Sequence, residues 1–170
     1  MRLLTWLRSL LSKPTPVPTP PKVTGPSEAG LALIKRFEGC SLTAYRCPAG
    51  VWTVGWGCTG PDIGEGTKWT VEQANAELLY RTRVLAKQIL DAARQPPTQS
   101  QLDALVSLAF NIGTHALVTK SSVWRHHQLG EFAEAKAAFA LWNKITERGI
   151  KVVSPGLVTR RAEEAKLYGG

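Results

Sequence analysis

RFEGCSLTAYRCPAGVWTVGWGCTG, residues 36–60, decides how this chain is read. Glu38 is followed after eight residues by Cys47, and Cys47 after five more by Thr53. A helix over Glu28–Glu38 is expected, because Ser27 is a good N-cap and Leu31, Ile34 and Glu38 recur at i, i+3 and i+7. Beyond it, Thr43–Arg46 and Val51–Trp56 straddle Pro48-Ala49-Gly50 and are expected to pair as a hairpin. The order is therefore an acid at a helix end, then a thiol and a hydroxyl on either side of a turn. A Glu on an apolar stripe is costly to ionise, which suits a general acid. The competing reading is a purely structural Glu paired with a base. A proton donor, a group that positions water and a hydroxyl that holds it make up the inventory of inverting glycoside hydrolysis, in which the second group is usually a carboxylate. No Asp or Glu occurs between Glu38 and Asp62, so Cys47 occupies that place.

Downstream, the chain turns helical. Gly57–Lys68 is a Gly-rich loop, and Thr70 with Gln73 forms a capping box that opens a long helix to about residue 94. Thr98 and Gln101 repeat the signal before a very apolar helix to Ile112, which Gly113 is expected to stop. Shorter helices are expected at 121–129 and 131–144, then a loop over 145–154. Pro155 starts a last helix that runs to Tyr168. On that helix Leu157, Val158, Arg161, Ala165 and Tyr168 share a face, so Arg161 is expected to point inward and support Glu38, with Arg160 pointing elsewhere. One early hairpin followed by helices makes the fold α+β, mostly α, with a small N-terminal β region and a helical lobe.

The ends and the composition set further bounds. At 170 residues, 44% of them hydrophobic, the chain can hold one domain with a true core plus a small appendage. In MRLLTWLRSLLSK, residues 1–13, the Leu and Trp side chains fall on one arc and Arg2, Arg8 and Lys13 on the other. That is the pattern of an interfacial amphipathic helix, too short to span a bilayer. Residues 14–26 contain six prolines and read as a semi-rigid spacer. The main domain is thus expected at 27–170. A formal charge of +8 favours polyanionic partners. No nucleic-acid motif or basic block is present, which ranks nucleic acid low. The three cysteines lie between Cys40 and Cys58 without a CxxC pair, and His115, His126 and His127 are remote in sequence, so no metal site and no cofactor is expected.

FEG, AYR, VWTVGWG and TG, with the spacing of Glu38, Cys47 and Thr53, resemble the phage-type lysozymes of glycoside hydrolase family 24. QSQLDALVSLAFNIG, a helix ending in LWNK, and PGLVTRRAEEAKL extend the resemblance over about residues 27–168. It implies a lysozyme-like fold and an endolysin, acting as a monomer, that cleaves the β-1,4 bond between N-acetylmuramic acid and N-acetylglucosamine in peptidoglycan. On that resemblance Glu38 protonates the leaving oxygen, Thr53 holds the attacking water, and Cys47 stands where most members carry Asp. Phe110, Asn111 and Ser121 match stretches that line the sugar cleft. Cys58 stands where many members have His and inherits no role.

The resemblance also implies a redox device. A Cys40–Cys47 disulfide would cap the catalytic thiol, whereas a Cys40–Cys58 pair would leave Cys47 free; the alternative is three free thiols without regulation. The enzyme is expected to wait in the host cytoplasm, with residues 1–13 against an anionic membrane, and to act in the periplasm on the wall. The rivals are a lytic transglycosylase, which also uses a Glu, and a non-catalytic cationic protein that disrupts membranes.

Overall fold

A computed structural model describes residues 23–170; the expected helix at 1–13 and most of the Pro-rich spacer lie outside the described residues. Helix α1 spans Glu28–Glu38, as expected, with the Ser27 hydroxyl accepting from the Gly30 amide and Gly39 closing it in a left-handed conformation, φ 67°. Strands β1 (Ser41–Arg46) and β2 (Trp52–Gly55) pair antiparallel, Tyr45 opposite Thr53, with an irregularity in β1 before Tyr45. The Gly-rich loop lies along the other edge of β1, where the Ala44 amide donates to the Thr67 carbonyl and the Trp69 amide to the Leu42 carbonyl.

Helix α2 (Val71–Ala92) and helix α3 (Gln99–Ile112) both open on complete capping boxes, Thr70 with Gln73 and Thr98 with Gln101. Every residue from Gln101 to Ala109 is buried. A helix buried all round must be wrapped by others, and α3 packs against α1, α2 and the last helix, α7 (Pro155–Tyr168). Leu102, Leu105, Val106 and Leu108 join Ile34, Leu78 and Ile89 in the core. Where α1 crosses α3, a Cβ on Gly30 would lie 2.7 Å from Asp103 Oδ1, so only glycine allows this approach. Asp103 in turn accepts from the Ser27 amide and hydroxyl.

Gly113 stops α3 at Ile112, as expected, and with φ 85° it turns the path by 109° into a further helix, α4 (Thr114–Lys120). Two expectations need correction. Helix α5 (Ser122–Gln128) follows, and the next helix, α6, is limited to Phe132–Ala138 before a 3₁₀ turn at Phe139–Leu141. The loop expected at 145–154 is a second hairpin, β3 (Lys144–Glu147) and β4 (Ile150–Val153). Its turn residues Arg148 and Gly149 both have positive φ, 47° and 81°, the geometry that matches strand twist in a two-residue hairpin. Contacts with the core also reach ahead of Ser27. Val23 packs against the core, and the Gly25 carbonyl accepts from Gln99 Nε2 at 2.9 Å.

Candidate active site

Glu38 ends α1 with its side chain one-fifth exposed, so its burial is partial. One carboxylate oxygen, Oε1, accepts from Arg160 Nη1 at 2.7 Å. The other, Oε2, faces Gly57, where a Cβ would sit 3.6 Å away. Gly57 has φ 83°, and its lack of a side chain keeps that oxygen open. The same glycine lines a cavity of about 400 Å³ with Phe110, Tyr80 and Arg81; Glu38 is not itself a lining residue, and Gly57 is what joins it to the cavity.

The partner of Glu38 is therefore Arg160, not Arg161. Both arginines are buried on α7, 4% and 1% exposed, and they form one ion cluster with Glu164, which is fully buried. Arg160 Nε reaches Glu164 Oε1 at 3.1 Å, and its Nη2 donates to the Ser107 carbonyl. Arg161 Nη2 donates to Glu164 Oε1 at 2.8 Å and Nη1 to Asn111 Oδ1 at 3.3 Å. Arg161 Nε and Glu164 Oε2 lie 2.8 Å apart, an ion contact whose angle is too poor for a hydrogen bond. The Ser107 hydroxyl also donates to Glu164 Oε1. Burial pushes the Glu164 carboxyl up from its ordinary value, against the opposing pull of Arg161, the Ser107 hydroxyl and Arg160. With Glu38 included, two guanidiniums face two carboxylates, which removes the cost of an unpaired buried charge.

The β1–β2 hairpin brings Cys47 and Thr53 together. Tyr45 and Thr53 are directly opposite, and the Cys47 amide donates to the Val51 carbonyl across the turn. Side chains two apart share a face of a strand, so Cys47 and Thr53 are diagonal neighbours. The Val51 and Ala49 amides, and more weakly the Thr53 hydroxyl, hold the Cys47 thiol below its ordinary value despite slight burial. The Thr53 hydroxyl has a single proton and a second acceptor, the Val51 carbonyl at 3.1 Å. Thr53 is 4% exposed, so its hydroxyl is fixed rather than free in solvent.

The other expected positions divide. Phe110 lines the cavity beside Glu38. Asn111 is exposed, with its side-chain oxygen on Arg161. The Ser121 hydroxyl accepts from the Val123 amide as the N-cap of α5, and Ser121 lines a separate cavity with Trp124 and Arg125. Its sequence signal was thus that of a cap. Missed by the sequence reading were Arg160 and Glu164, polar residues on what an apolar count treats as the wrong face of α7.

All three cysteines are free: Cys40 exposed, Cys47 half-buried and Cys58 buried. Cys40 and Cys47 flank the whole of β1, so an extended strand holds them on the order of 20 Å apart. A disulfide needs its Cα atoms within about 7 Å. The Cys40–Cys47 pairing therefore does not belong to this conformation. Among the described residues no group of His, Cys, Asp or Glu could hold a metal ion, and no single helix is long and apolar enough to cross a membrane.

The phage lysozyme family model matches residues 35–164. An endolysin of Acyrthosiphon pisum secondary endosymbiont phage 1 is 40% identical over 142 residues, covering 84% of this chain and 96% of that protein. Among solved structures, an endolysin from Escherichia coli O157:H7 phage FAHEc1 superposes with a TM-score of 0.78 at 39% identity, covering 84% of this chain and 91% of that one. The muramidase domain of SpmX from Asticaccaulis excentricus gives a TM-score of 0.78 at 37% identity, with 84% of this chain and 95% of that one covered.

Proposed function

Because the chain belongs to the phage lysozyme family, we propose that Glu38, Cys47 and Thr53 carry out its hydrolytic step. The protein is a phage endolysin, a glycoside hydrolase with lysozyme activity whose substrate is peptidoglycan. In our reading Glu38 is the general acid. Arg160 occupies Oε1, which leaves Oε2, beside Gly57, as the oxygen that carries the proton to the leaving glycosidic oxygen. Arg160 acts as a positioning residue: one guanidinium bonded to Glu38, Glu164 and the Ser107 carbonyl fixes the direction of the carboxylate.

Water attacks from the hairpin side. Thr53 holds it through a hydroxyl already oriented by the Val51 carbonyl, and Cys47, favoured toward its thiolate by two backbone amides, accepts or steers its proton. The water is added across the bond between N-acetylmuramic acid and N-acetylglucosamine, with inversion at the anomeric carbon when it comes from the face opposite the leaving group. The observation that carries this reading is a carboxylate with one oxygen tied to Arg160 and the other beside Gly57, which lines the cavity.

Glu38→Gln tests it. The amide keeps the shape and has no acidic proton, so release of reducing ends from purified peptidoglycan is expected to fall about 10²–10⁴-fold. Undiminished release by Glu38→Gln would sink the catalytic assignment and favour a membrane-disrupting protein. Product mass separates hydrolysis from transglycosylation, since only hydrolysis adds a water. The wall is where the enzyme acts; its wait in the host cytoplasm and the contact of residues 1–13 with an anionic membrane belong to the same proposal.

A further inference from the structure

The α2 wall of the cavity beside Glu38 carries two side chains that bond hydrolysis does not use. Tyr80 is 65% exposed, although it is a large ring at the rim of a concave site. Next to it, Arg81 is held in one orientation: Nε donates to Glu77 Oε1 at 2.7 Å and Nη2 to the Thr59 carbonyl at 3.0 Å. Nη1 has no hydrogen-bond partner among the described residues, and the side chain is one-third exposed. A guanidinium anchored twice has already lost most of its rotamer freedom, so a third partner is bound at little entropic cost. The Glu77 carboxylate offsets its charge, which leaves a directional N–H donor rather than a diffuse cationic patch.

The glycan strand of peptidoglycan offers hydroxyls and amides. Its stem peptides add free carboxylates beside short apolar side chains. A carboxylate is the group that a planar guanidinium edge recognises best, and an exposed aromatic ring beside it suits the apolar part of a peptide. We propose that Tyr80 and Arg81 form a stem-peptide subsite on α2: Arg81 Nη1 takes a peptide carboxylate while the Tyr80 ring packs against the peptide beside it. The subsite rests on the reading of Glu38 as the acid of a muramidase, because Gly57 and Phe110 join it to the same cavity.

The experiment compares glycan strands that carry stem peptides with the same strands after an amidase has removed them. Arg81→Gln and Tyr80→Ser are each assayed for kcat/KM on both substrates. The ratio of stem-bearing to stripped strands is expected to fall roughly tenfold for Arg81→Gln, mainly through KM, as for loss of one charge-assisted hydrogen bond. Arg81→Lys should recover part of it. Tyr80→Ser should lower the ratio about threefold, since stacking of this kind contributes less. An unchanged ratio in both variants overturns the proposal. So does an equal loss on both substrates, which would mark Arg81 as a mere anchor of the Thr59 loop. Sedimentation of the two strand types with the same variants in a Glu38→Gln background reads the subsite without turnover. Failure of Glu38 as the acid therefore shows separately, as activity retained in that background.

Discussion

Cys47 has the least usual chemistry of any residue in the cleft. A free thiol has a reference value near 8.5 and an aspartate one near 3.9, so the two side chains titrate more than four units apart (about 4.6). The Val51 and Ala49 amides hold Cys47 below its ordinary value, so its thiolate forms at lower pH than that of an exposed cysteine. If the thiolate positions the water, kcat/KM rises with pH as Cys47 loses its proton. Cys47→Asp is expected to move that rise into the carboxylate range. Cys47→Ser, which does not titrate there, should remove it and lower the rate about 10²-fold. Identical pH profiles for all three proteins would show that Cys47 takes no part. The residue types and spacing of Glu38, Cys47 and Thr53 were legible in the sequence. The environment of the thiol was not, because it is made of backbone amides that any residue but proline could supply at 49 and 51.

At the level of elements, the helix and strand boundaries that caps and turns announce were readable, and the orientation of α7 was not. Ser27, Thr70 and Thr98 each begin a helix, and Pro155 follows the Ser154 cap. On α7 the buried residues are Arg160, Arg161, Glu164 and Tyr168, while Val158, counted as inward, is 44% exposed. An apolar-arc argument assumes that the buried face is the hydrophobic one. Here that face is an ion cluster, in which Glu38 on α1 and Glu164 on α7 itself neutralise Arg160 and Arg161. The second hairpin escaped for a related reason: its strands are almost wholly exposed, so they show no one-sided pattern, and Arg148-Gly149 is a weaker turn signal than Asn-Gly. Strand β1 makes the redox idea testable. With β1 formed, Cys40 and Cys47 are too far apart to join, so any species bridged between them has lost β1 and its pairing with β2. Oxidised protein carrying that bridge is expected to be inactive and to regain activity on reduction. Peptide mapping without reductant identifies the bridge. A bridged form as active as the reduced one would show that β1 is dispensable, contrary to this fold.

For the molecule as a whole, the question is where the catalytic domain stops and the N-terminal arm begins. Prolines placed that boundary at 26 in the sequence. Contacts with the core reach further back, because Val23 lies on the core and the Gly25 carbonyl bonds to Gln99. A truncation at residue 26 therefore removes contacts that the segment before α1 makes with α3 and the core, and its effects would mix stability with binding. Removing residues 1–22 leaves those contacts intact. It deletes Arg2, Arg8, Lys13 and Lys22 and no acidic residue, so it halves the formal charge of +8. Basic residues near an anionic bilayer contribute about 1 kcal/mol each. Loss of Arg2, Arg8 and Lys13 alone should thus weaken binding to anionic vesicles by about 3 kcal/mol, roughly a hundredfold. The loss should be smaller at high salt, where screening already weakens the full chain. Hydrolysis of purified peptidoglycan, which needs Glu38, the hairpin and α7 but no membrane, is expected to continue at the full-length rate. Vesicle sedimentation and reducing-end release on the same two proteins decide the matter. Equal vesicle binding would remove the arm's role, and a parallel loss of hydrolysis would mean that residues 1–22 serve the catalytic domain itself.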